Sequence, residues 1–105
     1  MAYSISISRA MKCFAKGSFP VSDSSVELPA AALEIPKGRD MEILLHINTN
    51  DIHISPDGTD ATTSDMPYRA DDKLRMPGAV ACNNLRFIRS SADATVYYWS
   101  FYNPL

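Results

Sequence analysis

The stretch MEILLHINTNDIHIS, residues 41–55, carries the alternation on which the fold class turns. Met41, Ile43, Leu45 and Ile47 fall on one side of an extended chain and Glu42, Leu44 and His46 on the other, because successive side chains of a strand point to opposite faces. Ile52 and Ile54 repeat the pattern, with Asp51, His53 and Ser55 outward. Between the two runs, Asn48, Thr49, Asn50 and Asp51 are residues that tolerate turn conformations. The expectation is a β-hairpin with Ile47 against Ile52 and Leu45 opposite Ile54, a register that places His46 opposite His53.

Working outward, Ser55-Pro56-Asp57-Gly58 fits a type I turn position by position, and Pro77-Gly78 fits a turn that needs positive φ at its second central residue. DKLRMPGAV (72–80) reads as a strand stopped by that turn. NLRFIR (84–89) and ATVYYWSFY (94–102) read as two strands of a further hairpin-like unit around residues 90–93. Upstream, SSVELP (24–29) is a short strand closed by Pro29, and AAALEIPKGRD (30–40) has too many breakers at its end for a stable helix. AYSISIS (2–8) alternates Tyr3, Ile5 and Ile7 with Ser4, Ser6 and Ser8. It reads either as an edge strand of its own domain or as a strand offered to another subunit's sheet. SRAMKCFAKG (8–17) can form two helical turns with Ser8 as N-cap and Gly17 just past the end. Short strands with turn signals and no helical crossovers predict an all-β chain, a small antiparallel β-sandwich or jelly-roll-like barrel. Residues 1–22 form an N-terminal strand and basic arm with one short helix in this reading, and residues 23–105 the sandwich.

A chain of 105 residues is one domain near the lower size limit for folding on a hydrophobic core alone, so burial at a subunit interface would help it. Hydrophobic residues are 46% and charged residues 21%, an ordinary globular balance that excludes general disorder. The net charge of −2 gives no broad attraction for nucleic acid. Its distribution is uneven. Arg9, Lys12 and Lys16 face no acid within residues 1–20, while the remaining chain is acidic. No apolar run is long enough to span a bilayer and no signal-peptide core is visible, so a cytosol-like compartment is expected. Cys13 and Cys82 have no CxxC or Cys/His spacing and read as reduced thiols.

Chemistry is sparse. His46 and His53 on adjacent strands could share a metal ion, yet no third ligand is fixed by spacing, and a solvated polar face fits as well. Six aspartates lie between Asp51 and Asp72, but the order of DGTDATTSD lacks the ligand positions and closing glutamate of an EF-hand, so a solvated acidic loop is expected. His53, Ser55 and Asp57 lie close together without a glycine-flanked elbow or oxyanion hole. The glycines, at 17, 38, 58 and 78, form no phosphate-binding pattern. The reading is a non-enzyme with no cofactor and no metal. The C-terminal strand is more telling: Tyr97, Trp99 and Phe101 face one side and Val96, Tyr98 and Tyr102 the other. One aromatic face is left for a partner, or else for shelter beneath the N-terminal arm. Arg86 and Arg89 are the only bases nearby, which disfavours a nucleic-acid platform.

The order of strands and turns over residues 26–99 resembles small structural proteins of tailed bacteriophages. The matching residues are Leu28-Pro29, Gly38-Arg39, Asn48-Thr49, Ile52-His53-Ile54, Asp57-Gly58, Thr62-Thr63, Met66-Pro67-Tyr68, Asp72-Lys73-Leu74 and Ala94-Thr95-Val96. The N-terminal segment and the aromatic end YYWSFY depart from that pattern. The resemblance implies a virion component, most like a head decoration or cement protein. Such a protein is assembled in the host cytoplasm and lies on the capsid surface, where it binds the major capsid protein and its own copies, with a trimer favoured. It further implies that Tyr3, Ile5, Ile7, Arg9, Lys12 and Lys16 clasp a neighbour while Tyr97, Trp99 and Phe101 bury area between copies. A tail, neck or fibre position is the alternative within this class. A carbohydrate-binding module stacking sugars on Trp99 and Tyr97 is the alternative outside it.

Overall fold

The computed structural model describes residues 11–104. Eight strands occur among them: β1 (Lys12–Val21), β2 (Val26–Glu27), β3 (Met41–Asn48), β4 (Ile52–Ser55), β5 (Met66–Tyr68), β6 (Lys73–Pro77), β7 (Arg86–Arg89) and β8 (Ala94–Tyr102). A 3₁₀ turn at Ala30–Leu33 and a short helix α1 (Ala79–Asn83) complete the regular structure. The strands form two antiparallel four-stranded sheets, a front sheet in the order β1-β8-β3-β6 and a rear sheet in the order β2-β7-β4-β5. Sheet membership along the chain alternates front and rear except at β4–β5, the one connection that stays in its sheet. This order, with the connections passing repeatedly from one sheet to the other, is the connectivity of an eight-stranded jelly roll.

The predicted hairpin of residues 41–55 is therefore corrected. β3 lies in the front sheet between β8 and β6, and β4 lies in the rear sheet between β7 and β5. The connection between them is an arch. Thr49 takes φ 73°, Asn50 N–H bonds the Asn48 carbonyl, and Asn50 Nδ2 ties the arch to the Asp93 carbonyl in the β7–β8 connection. Alternation is the same in a hairpin and in an arch; what differs is where the apolar face finds cover. A hairpin leaves Ile43, Leu45, Ile47, Ile52 and Ile54 on one side of one sheet, whereas the arch folds the two apolar sets against each other and buries all five. The unit read around residues 90–93 is corrected in the same way, since β7 belongs to the rear sheet and β8 to the front.

The helical turns read over residues 8–17 are replaced by strand from Lys12 onward; residues 8–10, like the segment carrying Tyr3, Ile5, Ile7 and Arg9, lie outside the described residues. β1 runs along the whole of β8, with a bulge between Cys13 and Ala15. Two isolated helical turns are marginal in water, while this pairing buries Phe19 and Val21 and completes a ladder. Gly17 has its own reason to be glycine: a Cβ there would stand 3.0 Å from Tyr98 Oη, because the phenol ring lies across its inner side. Between the sheets, Phe19 meets Phe87 edge-to-face at 5.1 Å, with Leu45, Ile47, Val96 and Leu85 around them fully or almost fully buried. Buried Ser100 donates to the Ala32 carbonyl at 2.8 Å, so the inward hydroxyl of β8 is paired.

Candidate interaction face

The two outer faces of this sandwich differ. On the rear sheet, residues 56–65 fold back across the strands. Ser25 Oγ accepts from Ala61 N–H at 2.8 Å, and His53 Nδ1–H donates to the Asp65 carbonyl at 2.8 Å. Ser55, an outward position of β4, is buried beneath this loop. Its hydroxyl donates to Asp57 Oδ1, which also accepts from the Thr59 hydroxyl at 2.6 Å and from Thr59 N–H. These donors, led by the Thr59 hydroxyl, hold the Asp57 carboxyl below its ordinary pKa. Asp65 likewise braces the loop, its carboxylate accepting from Thr62 N–H at 2.8 Å. The loop carries Asp57, Asp60 and Asp65 and no base, and Met66 at its end is 65% exposed.

By contrast, among the described residues no loop lies across the front sheet. Register places its outward side chains in cross-strand rows: Ser18, Tyr97, His46 and Lys73; then Lys16, Trp99, Leu44 and Arg75; then Cys13, Phe101, Glu42 and Pro77. Directly opposed residues share a face, so each row is a line of neighbouring side chains. The middle of the face is apolar, with Tyr97 46% and Trp99 42% exposed and Trp99 edge-on to Phe101 at 6.4 Å. Leu44, His46, Lys73, Tyr97 and Trp99 line a hollow of about 320 Å³, at the small end of ligand-sized clefts. Cations flank it on both sides, Lys16 on β1 and Lys73 and Arg75 on β6. Glu42, 3% exposed, is matched by Arg75 at 3.3 Å. His46 tilts against Tyr97 at 6.4 Å, and its Nε2 is 3.5 Å from Asp71 Oδ1, too long for a good hydrogen bond, so this buried nitrogen is without a hydrogen-bond partner.

Of the residues singled out from sequence, Tyr97, Trp99 and Phe101 do share one outer face, and Lys16 pairs across from Trp99 on it. Lys12 stands at the sheet's end opposite Tyr102, off the aromatic rows. The two histidines are not brought together: His46 faces Lys73 and Tyr97 on the front sheet, and His53 faces Pro67 and Ile88 on the rear. No ion can bridge them. His53 turns its Nδ1 to Asp65 rather than to Ser55, so no Ser-His-Asp relay forms either. Among the described residues no three His, Cys, Asp or Glu side chains converge as a metal site. Leu44, Lys73 and Arg75 complete the face and were missed as part of it. Alternation marked Leu44 as outward, but nothing local says that β6 lies beside β3. Comparison with known proteins finds no matching family model, no matching curated protein and no matching solved structure.

Proposed function

We propose that this chain is a structural protein of a tailed-phage virion, acting as a decoration or cement module that binds its own copies and the major capsid protein on the assembled head. The observation that carries the reading is the exposed aromatic face of the front sheet. A band of Tyr97, Trp99, Phe101 and Leu44 framed by charge has the make-up of a protein–protein interface, an aromatic centre inside a polar rim. Jelly rolls serve widely as capsid modules, and the turn order over residues 26–99 points the same way. The mechanism is mechanical. A protein that binds the assembled shell and not its dissociated subunits stabilises the shell by mass action. The N-terminal segment with Tyr3, Ile5, Ile7 and Arg9, which lies outside the described residues, clasps a neighbouring copy together with Lys12 and Lys16 of β1, and the aromatic strand buries area, with a trimer as the favoured ring.

The experiment is quantitative mass spectrometry of purified particles. A copy number comparable to the major capsid protein is the expected result. A far lower ratio moves the chain to the tail, neck or fibre, and its absence from particles overturns the virion reading. One observation favours a second reading: the hollow beside Trp99 and Tyr97 has the size and aromatic walls of a sugar subsite. Glycan binding that is lost in Trp99→Ala, with the assembly state unchanged, would establish that reading instead.

A further inference from the structure

The outer faces carry opposite charge on opposite sides of the sandwich. The front face presents an apolar hollow between Lys16 and Lys73, with its buried acid, Glu42, matched by Arg75 and with Asp71 at the rim beyond His46, where its carbonyl accepts from Lys73 at 3.5 Å. The rear face is roofed by the 56–65 loop, which carries three aspartates and no base and ends at Met66, 65% exposed; Arg86 on β7, opposite Ser55 and Glu27, turns its guanidinium to the Asn83 and Leu85 carbonyls, so the roof is acidic. Charge selects what can cover the front face. The N-terminal segment brings Arg9 and no acid, so it adds cation to a face already flanked by cations. Two front faces packed on a two-fold axis likewise set cations against cations. Like charges brought together at an interface are costly, and opposite charges steer and fix register.

We infer that the front face of one copy receives the 56–66 loop of a second copy, with the Met66 side chain entering the hollow between Trp99, Tyr97 and Leu44, and Asp60 meeting Lys73 on the β6 side. This deepens the oligomer part of the reading above and rests on it. Methionine suits the role, since its flexible thioether adapts to aromatic walls. Because socket and plug lie on opposite sheets, the contact is heterologous. Repetition then closes a ring when the rotation allows and otherwise runs into a filament, which fits a cyclic trimer and excludes a simple two-fold dimer through this face.

The test is sedimentation velocity on the full chain and four variants: Lys73→Glu, Asp60→Lys, the two combined, and Trp99→Ala. All three positions are exposed, so circular dichroism should report an unchanged fold. The wild-type chain is expected to oligomerise. Each single charge reversal is expected to weaken association by about tenfold or more, and the combined variant to recover it, because reversed charges then face each other at every contact. Raised salt should weaken the wild-type assembly in the same direction. Charge variants that associate like the wild type while Trp99→Ala falls apart would overturn the loop as partner and leave the front face an interface. Failure of the combined variant to recover also overturns it. A wild-type chain that stays monomeric at every concentration overturns the inference, while the virion copy number judges the wider reading separately.

Discussion

The contact between Phe19 and Phe87 offers the most direct test of the two-layer architecture. The rings belong to opposite sheets and meet at 5.1 Å with an interplanar angle of 65°. Had β7 paired with β8 in a single sheet, β1 and β7 would stand two strand spacings apart, about 9–10 Å, with Val96 of β8 between them. Truncating either ring to alanine costs roughly 3–5 kcal/mol. Both truncations together would exceed the stability of many domains, which is about 5–15 kcal/mol. A cycle of Phe→Leu variants is therefore the better instrument: each single change keeps most of the apolar volume and costs under about 1.5 kcal/mol. An edge-to-face pair is worth about 0.5–1.5 kcal/mol beyond its buried area, so the double variant should be less destabilised than the sum of the singles by about 1 kcal/mol. Urea unfolding followed by fluorescence of Trp99 or by circular dichroism measures this. Strict additivity, within about 0.3 kcal/mol, would mean that the rings do not touch and that the arch between β7 and β8 is wrongly drawn.

Other outcomes follow from single features. Removing the Arg75 head group in Arg75→Met leaves Glu42 buried without its charge partner and should destabilise by about 3 kcal/mol, the low end for such pairs because Arg75 is half exposed; adding Glu42→Leu should restore most of the loss in the same unfolding assay. Cys82 is buried, and burial pushes its thiol up to about 12, so in native protein at pH 8 a thiol reagent should label exposed Cys13 alone, with Cys82 reacting only in denaturant. The protonated thiol is the form the fold favours, so this contribution to stability is complete below pH 9.0 and is lost as pH rises toward 12. Asp57 has the opposite sign. Its carboxyl is lowered from 3.8 by the Thr59 and Ser55 donors, so the loop it organises keeps this support above that pH and loses it as acid protonates the group; amide exchange at Thr59 should speed up below it, and Asp57→Ala should show the same speed-up at neutral pH.

Strand positions were legible because alternation is a local property. Met41–Asn48, Ile52–Ser55 and Ala94–Tyr102 declare themselves through the residues they must bury, and their inward sets are the ones the core uses. Pairing was not legible, for a physical reason. The four residues 48–51 are long enough for a hairpin or an arch, and only the distant partners β8 and β7, which compete for the edges of β3 and β4, decide between them. β1 was hidden by Gly17 and Pro20, which weaken strand propensity. Each is tolerated for a tertiary reason: Gly17 makes room for the Tyr98 phenol, and Pro20 lies on an edge strand of the front sheet. The histidine pair failed with the hairpin that created it.

The same contrast explains why the aromatic outer face was readable from the sequence while the acidic loop, exposed as expected, gave no sign that it lies across the other face. Aromatic residues at alternate positions of β8 cannot all be buried by so small a core, so Tyr97 and Trp99 announce an open face whatever their neighbours are. The rear face carries no such signal, because what lies on it is backbone. Ser25, His53 and Ser55 are small or polar side chains that look fit for water, yet each bonds the 56–65 segment and two of those bonds go to main-chain groups. A sheet face covered by its own loop needs hydrogen-bonding side chains, since the loop's amides and carbonyls would otherwise be buried unpaired. Serine and histidine at outward strand positions, beside a long polar loop containing the buried Ala61, are the trace of that cover in the sequence. With the rear roofed in this way, the aromatic front sheet is the broad apolar face left exposed among the described residues, and in the contact proposed above the acidic roof is the surface of opposite charge that meets it.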